Sequence, residues 1–177
     1  PAYVGADNLA PDGWMRAVAS TNCKLYREHY GSNTKDGSFY ALKCVSSSMY
    51  NGVQFPYNGA EQTWLQKCHG RIVTVGAWFK TTSTSNIGIY CYSDSWVQKS
   101  TSHSGSGNYE WLEATWTVDA SYGNFIIGFG NPKNHVTATV YFSQPMLVFG
   151  SSIGEGNYQP ILNEVINCQS NVALTTL

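Results

Sequence analysis

Charge is what this chain has least of. Lysine, arginine, aspartate and glutamate make up 12% of its 177 residues, against ~25% in an ordinary soluble domain. The formal net charge is −1, so there is no electrostatic footprint for nucleic acid or an anionic membrane surface. No apolar run approaches the ~18 residues that span a bilayer as a helix, and no basic stretch precedes an apolar one at the start. Helical periodicity is almost missing. The five cysteines (23, 44, 68, 91 and 168) form no CxxC pair, which removes the usual zinc and dithiol spacings. Odd in number and irregularly spaced, most of them read as free thiols acting as small hydrophobes, with a single disulfide as the alternative. The chain starts at Pro1 without a methionine, so we expect a fragment of something longer.

Catalytic signatures are scarce as well. Glycoside hydrolysis needs two carboxylates at a defined separation. Glu110 and Glu113 are the nearest pair, but an odd spacing on one strand sends them to opposite faces. His69, His103 and His135 have no metal-ligand spacing. GSGN (105–108) is a turn without a following GK[ST], and no G-x-S-x-G is present. The expected function is non-catalytic.

What is abundant is aromatic residues, at 14%, set in a pattern of period two. SFYALKCVS (38–46) and NGVQFPYN (51–58) read as two strands, the second ending at Pro56. In RIVTVGAWFKT (71–81), Val73, Val75, Ala77 and Phe79 point inward and Thr74, Gly76, Trp78 and Lys80 outward. The turn TSTSN leads into NIGIYCYSDSW (86–96), with Ile87, Ile89 and Cys91 inward and Gly88, Tyr90 and Tyr92 outward. YEWLEATWTV turns Leu112, Ala114, Trp116 and Val118 inward. NFIIGFGN (124–131) does the same with Phe125, Ile127 and Phe129. VTATVYFSQPMLVFG (136–150) alternates Ala138, Val140 and Phe142 against Thr137, Thr139 and Tyr141. Short strands at this spacing predict an all-β antiparallel β-sandwich, with a jelly roll as the leading form. AEQTWLQKC (60–68) is the one helical candidate. Trp14, Trp64 and Trp116 are assigned to the core or its lids. Residues 1–150 make the domain, and the Gly/Ser/Asn-rich run from Ser151 reads as an exit linker, 151–177, toward a following module.

VTVGAWFK (73–80), GIYCYS, EWLEATWTVDA (110–120) and ATVYFSQPMLV (138–148) occur in the order of one family. They resemble carbohydrate-binding modules of the family 4, 9 and 22 type, and APDGW (10–14) with GSFYALKC (37–44) is similar to that family's opening. The resemblance covers about residues 8–149 and implies a galactose-binding-domain-like jelly roll. QPMLVFGSSIGEGNYQP resembles the closing segment of such modules in bacteriophage tail-fibre and tailspike proteins. It implies a virion receptor-binding protein that recognises host surface glycan, with other fibre domains and a possible homotrimer as partners. The alternatives are a structural spacer or trimerisation domain, or a module appended to a polysaccharide-degrading enzyme. The family's closing strand carries paired aspartates, one of which helps hold a structural calcium ion. Ser143 and Gln144 stand there instead, leaving Asp7 and Asp12 as the remaining oxygen donors, so no cofactor is expected.

Sugars present flat C–H faces rimmed by hydroxyls, which aromatic rings and amide side chains suit. Trp78, Tyr90 and Tyr92 lie on the non-core faces of two strands joined by a short turn. As a hairpin pair they would come within ~5–8 Å of one another. Gly76, Gly88, Gly128 and Gly130 share their parity and would make a groove floor. In the family, aromatics on mid-sheet strands of the concave face contact sugar, and the same three residues match those strands best. Gln54 and Tyr57 beside the third strand, Trp96 in the following loop, and Asn131 and His135 at a loop rim complete the candidates. A covering loop or another subunit are the other occupants that such a face admits.

Overall fold

In the computed structural model, described for residues 2–3, 14–16, 22–55, 61–93 and 95–157, the period-two alternation becomes strands. They are β1 (Ala2–Tyr3), β2 (Met15–Arg16), β3 (Cys23–Glu28), β4 (Ala41–Phe55), β5 (Ile72–Lys80), β6 (Gly88–Tyr92), β7 (Trp96–Gln98), β8 (Tyr109–Thr117) and β9 (Ile126–Val148). One helix, α1 (Glu61–Cys68), occupies the helical candidate. Asp7, Asp12, Tyr57 and the segment 158–177 lie outside the described residues.

The strands expected at 38–46 and 51–58 are one strand, β4, and those at 124–131 and 136–150 are one strand, β9. Each is too long to stay in one plane, and both bend at the same level. Register shifts fall between Ser46 and Met49 and between Tyr50 and Asn51 of β4, where β9 passes from Ala138 to Val136 and from His135 to Asn131. Gly52 and Gly130 face each other just past the bend, with φ of +139° and +114°. That backbone conformation and close approach belong to glycine.

The bend divides the pairing into two layers. One layer runs β7–β6–β9(126–131)–β4(51–55)–β2, and the other β8–β5–β9(136–148)–β4(41–50)–β3–β1. Every pairing is antiparallel, and the result is the expected β-sandwich. Between the layers sits one core, containing Leu25, Cys44, Val75, Phe79, Ile89, Leu112, Phe129 and Val140 among others, all of them buried. Trp14, Trp64 and Trp116 pack against it from the rim. Cys23, Cys44, Cys68 and Cys91 are unpaired and buried, as small apolar residues would be.

Two devices fasten loops onto the larger layer. A bulge places Gln144 and Pro145 between Ser143, paired to Trp78, and Met146, paired to Gly76. Gln144 takes a φ of +51° there, and its amide donates to Asp36 O (3.0 Å) and Ser38 Oγ (3.1 Å) of the β3–β4 loop. Glu113 of β8 accepts from the backbone N–H of Ile153 (3.1 Å) and Gly154 (2.8 Å) and from the Trp111 indole (3.0 Å). The chain is thus still fastened to the sheet at Gly154, beyond the position where the linker was expected to begin.

Partial burial pushes the carboxyls of Glu28, Glu110 and Glu113 up, but the hydrogen bonds they accept outweigh it and hold all three below the usual range. A depressed folded pKa contributes stability that is present above the unfolded value near ~4.3 and lost as pH falls through the folded value. Thermal melts are therefore expected to hold steady from neutral pH down to about pH 5 and fall steeply below about pH 4. Glu113→Gln should flatten part of that fall, and an unchanged acid slope in the variant would exclude Glu113 as a contributor.

Candidate functional site

The structure separates the residues that the sequence grouped. β5 and β6 are consecutive but do not pair; β5 lies between β8 and β9 in one layer, and β6 between β7 and β9 in the other. Trp78 therefore faces out from the larger layer, while Tyr90 and Tyr92 face out from the smaller one. The hairpin contact among the three is absent because the chain crosses from one layer to the other between Lys80 and Gly88.

On the smaller layer, Tyr90 is 1% exposed. Its hydroxyl donates to Asn86 O (2.7 Å), with Gln98 Oε1 of the paired strand β7 also within reach at 3.1 Å, and desolvation pushes its pKa up to about 12. Tyr92 and Trp96 are half-buried with ring centroids 5.2 Å apart, and the Trp96 ring lies directly over Gly128. Gln54 pairs with Gly128 from the next strand, its amide donating to Met15 Sδ at 3.2 Å. Asn131 is 1% exposed. It shapes the kink in β9, donating to Ser85 O (2.6 Å) and accepting from the N–H of Lys133 and Asn134 (3.2 and 3.0 Å). His135 is exposed, edge-on to Tyr50.

On the larger layer, Trp78 is 8% exposed. Trp111 meets it edge-on at 5.8 Å, and the Lys35 ammonium lies 4.3 Å from its ring centroid. Trp111 also covers Gly76, leaving no space there for a side chain. This rung of the sheet is closed by the β3–β4 loop.

The neighbouring rung is partly exposed. Strand register aligns Tyr26 of β3 with Lys43 of β4, Lys43 with Tyr141 of β9, Tyr141 with Lys80 of β5, and Lys80 with Tyr109 of β8. All five are half-buried. They form a row, Tyr–Lys–Tyr–Lys–Tyr, across five adjacent strands and about 19 Å long at ~4.8 Å per strand. Each lysine lies between two rings. Lys43 Nζ is 5.8 Å from the Tyr26 centroid and 5.6 Å from that of Tyr141; Lys80 Nζ is 5.9 and 6.0 Å from those of Tyr109 and Tyr141. These distances are within the ~6 Å range of cation–π attraction.

The row is braced at Tyr109, Lys80 and Lys43. Tyr109 donates to Asn33 O at 2.7 Å, and its phenol is pushed well up by burial, with Tyr141 and Glu28 adding to the shift. The Lys80 ammonium donates to Ser32 O and to Asn33 Oδ1. Lys43 lies 3.8 Å from Glu28, whose carboxylate also accepts from the N–H of His29 and Tyr30. On the side away from the β3–β4 loop, a cleft of about 490 Å³ opens between Val45, Thr137 and Thr139 and the hydroxyl-rich run Thr82–Ser85. Flat rings, fixed cations and a hydroxyl-lined cleft thus adjoin on one face.

A calcium ion is not suited to the closing strand. Ser143 and Gln144 use their side chains to hold Ser38 and Asp36 O, and Gln144 presents a donor where a cation needs an acceptor. Among the described residues no group of three His, Cys, Asp or Glu side chains converges. Glu110 is engaged with Ser104 and Ser106, and Glu113 with 152–154.

No protein-family pattern and no curated protein sequence matches this chain. Solved structures do. The C-terminal family 22 carbohydrate-binding module of Clostridium thermocellum Xyn10B aligns with a TM-score of 0.60 at 12% identity, over 81% of this chain and 91% of that one. The fold is that of a family 22 module. The CBM22-1 xylan-binding domain of Paenibacillus barcinonensis Xyn10C gives 0.58 at 8% identity, over 82% and 92%. In the N-terminal CBM22-1–GH10 portion of the Clostridium thermocellum xylanase, complexed with xylohexaose, the match (0.56, 12% identity) takes 81% of this chain and 27% of that one. This chain thus spans about a quarter of that two-module protein.

Tyr26, Lys43 and Tyr109 were not singled out in the sequence, although parity put Lys80 and Tyr141 outward. CKLYRE (23–28) is short and carries charges on both parities, so its strand pattern is weak. The signal that joins the five is register between strands distant in sequence.

Proposed function

We propose that this chain is a non-catalytic carbohydrate-binding module that takes a polysaccharide along the Tyr26–Tyr141–Tyr109 row. The observation that carries the reading is the alignment of three half-buried tyrosines at one register level across the partly exposed outer face of the larger layer. Their rings offer a chain of sugars successive C–H stacking surfaces at little cost in side-chain entropy, and Asn33 with the hydroxyls of the adjoining cleft can meet the sugar rim.

The fold supports this reading, since the family 22 modules it matches include xylan-binding domains. The two-module xylanase favours attachment to a polysaccharide-degrading enzyme. Placement in a phage tail fibre, virion location and a homotrimer rest on the sequence resemblance of 144–160 and remain proposals of the second rank. Tyr92 and Trp96 over Gly128, on the opposite layer, form the competing face.

Affinity electrophoresis through gels containing soluble polysaccharides, xylan among them, separates the two faces. Tyr141→Ala is expected to weaken retardation by about tenfold or more, the ~1.4 kcal/mol or larger effect of a stacking anchor. Trp96→Ala should leave it unchanged. The reverse pattern would move the site to the smaller layer, and unchanged retardation in both would reject each face.

A further inference from the structure

The row that would stack sugars is also cationic, in a chain whose net charge is −1. Lys43 and Lys80 flank Tyr141 from the two neighbouring strands, which sets their backbones about 10 Å apart. Lys35 borders the same face on the Trp78 ring, and Lys24 is exposed on β3, two residues from Tyr26. Among the described residues no carboxylate lies within ion-pair distance of Lys24, Lys35 or Lys80.

The acids on this face are already engaged. Glu28 is held by two backbone N–H groups as well as by Lys43. Glu113 is held by the N–H of Ile153 and Gly154 and the Trp111 indole. Asp36 is the exposed acid of the bordering loop. The partners that fix Lys80, Ser32 O and Asn33 Oδ1, are neutral and leave its charge uncompensated. A tyrosine face attracts an ammonium without neutralising it. Lys43 is balanced in part by Glu28, but a purely neutral ligand would have to lie against the Lys80 ammonium with that charge unmet.

We propose that the ligand of this face is an acidic polysaccharide, its anionic groups met by Lys43 and Lys80 while its rings lie on Tyr26, Tyr141 and Tyr109. This rests on the reading of the face as a sugar platform. Carboxylate and sulfate share the chemistry that the lysines recognise.

Calorimetric titration with hexagalacturonate and with the same oligomer fully methyl-esterified tests the charge at constant ring structure. The acid is expected to bind the wild-type protein about tenfold more tightly than the ester at low salt. That advantage should collapse at ionic strengths on the order of 0.5 M and above. Lys80→Gln and Lys43→Gln should each lower acid affinity several-fold and narrow the acid–ester gap, whereas Tyr141→Ala lowers both affinities alike. A sulfated oligosaccharide without carboxylates forms the third arm; tighter binding of it than of hexagalacturonate assigns the lysines to sulfate. Equal binding of acid and ester, with no charged ligand preferred, overturns the acidic ligand while a Tyr141→Ala loss keeps the platform. Titrations that Tyr141→Ala leaves unchanged overturn the platform and this inference together. The acid–ester comparison needs no variant, so it stands even if a lysine substitution disturbs folding.

Discussion

Gly130→Ala is expected to remove about 3–5 kcal/mol of stability, as overpacking against backbone adds to the cost of a positive φ for a residue with a Cβ. A Cβ on Gly130 would lie 2.5 Å from Asn51 O and 2.8 Å from Gly52 Cα. These are backbone atoms of a paired strand and cannot swing aside as a side-chain tip can. The φ of +114° adds strain even if space is found. Gly52 faces the same obstacle from the other strand, with Phe129 O in the way. Because the two glycines sit where β4 and β9 pass from one layer to the other, the strain falls on the bend that makes the sandwich. A domain of this size has roughly 5–15 kcal/mol in total, so the variant should melt far lower or express unfolded. Gly123→Ala, with nothing within 4 Å of its added Cβ, is the control and should stay within about 0.5 kcal/mol. Urea denaturation of the two variants decides the matter. A Gly130→Ala protein as stable as the control would mean that the bend does not depend on this approach.

Phe79→Ala is the second large effect, expected to cost about 3–5 kcal/mol. Phe79 is 0% exposed, and its ring meets Phe129 at 5.4 Å and Phe142 at 5.2 Å, both edge-on. Phe129 lies on the part of β9 that belongs to the smaller layer and Phe142 on the part that belongs to the larger one. One ring therefore ties both halves of the bent strand to β5. Truncation removes the transfer free energy of the ring and leaves a cavity that two rigid sheets cannot close. Phe79→Leu, which keeps most of the volume, should cost about 1–2 kcal/mol. If alanine and leucine give equal losses in urea, the cavity component is absent and the cross-layer role of the ring is rejected.

Much of this architecture is legible along the chain. Side chains alternate faces with period two on any strand, so Val73, Val75, Ala77 and Phe79 declare a core face, and Lys80 and Tyr141 an outward one, before any strand is paired. The absence of helical period and of charge runs follows from composition. Antiparallel sandwich, single core and the tryptophans at its rim were reachable by those local arguments.

Partnership between outward faces was not. Tyr90 points outward by parity, yet it is buried, with its hydroxyl held by Asn86 O and the Gln98 side chain of the paired strand. Trp78 and Tyr90 are twelve residues apart and end on opposite layers, while Tyr26, Lys43, Tyr141, Lys80 and Tyr109 converge from across the chain. Parity is a property of one strand and is written in its own residues. Register and layer are properties of pairs, set where two long strands bend together at Gly52 and Gly130. The outward aromatics were visible in the sequence; which of them share a face was decided by that bend.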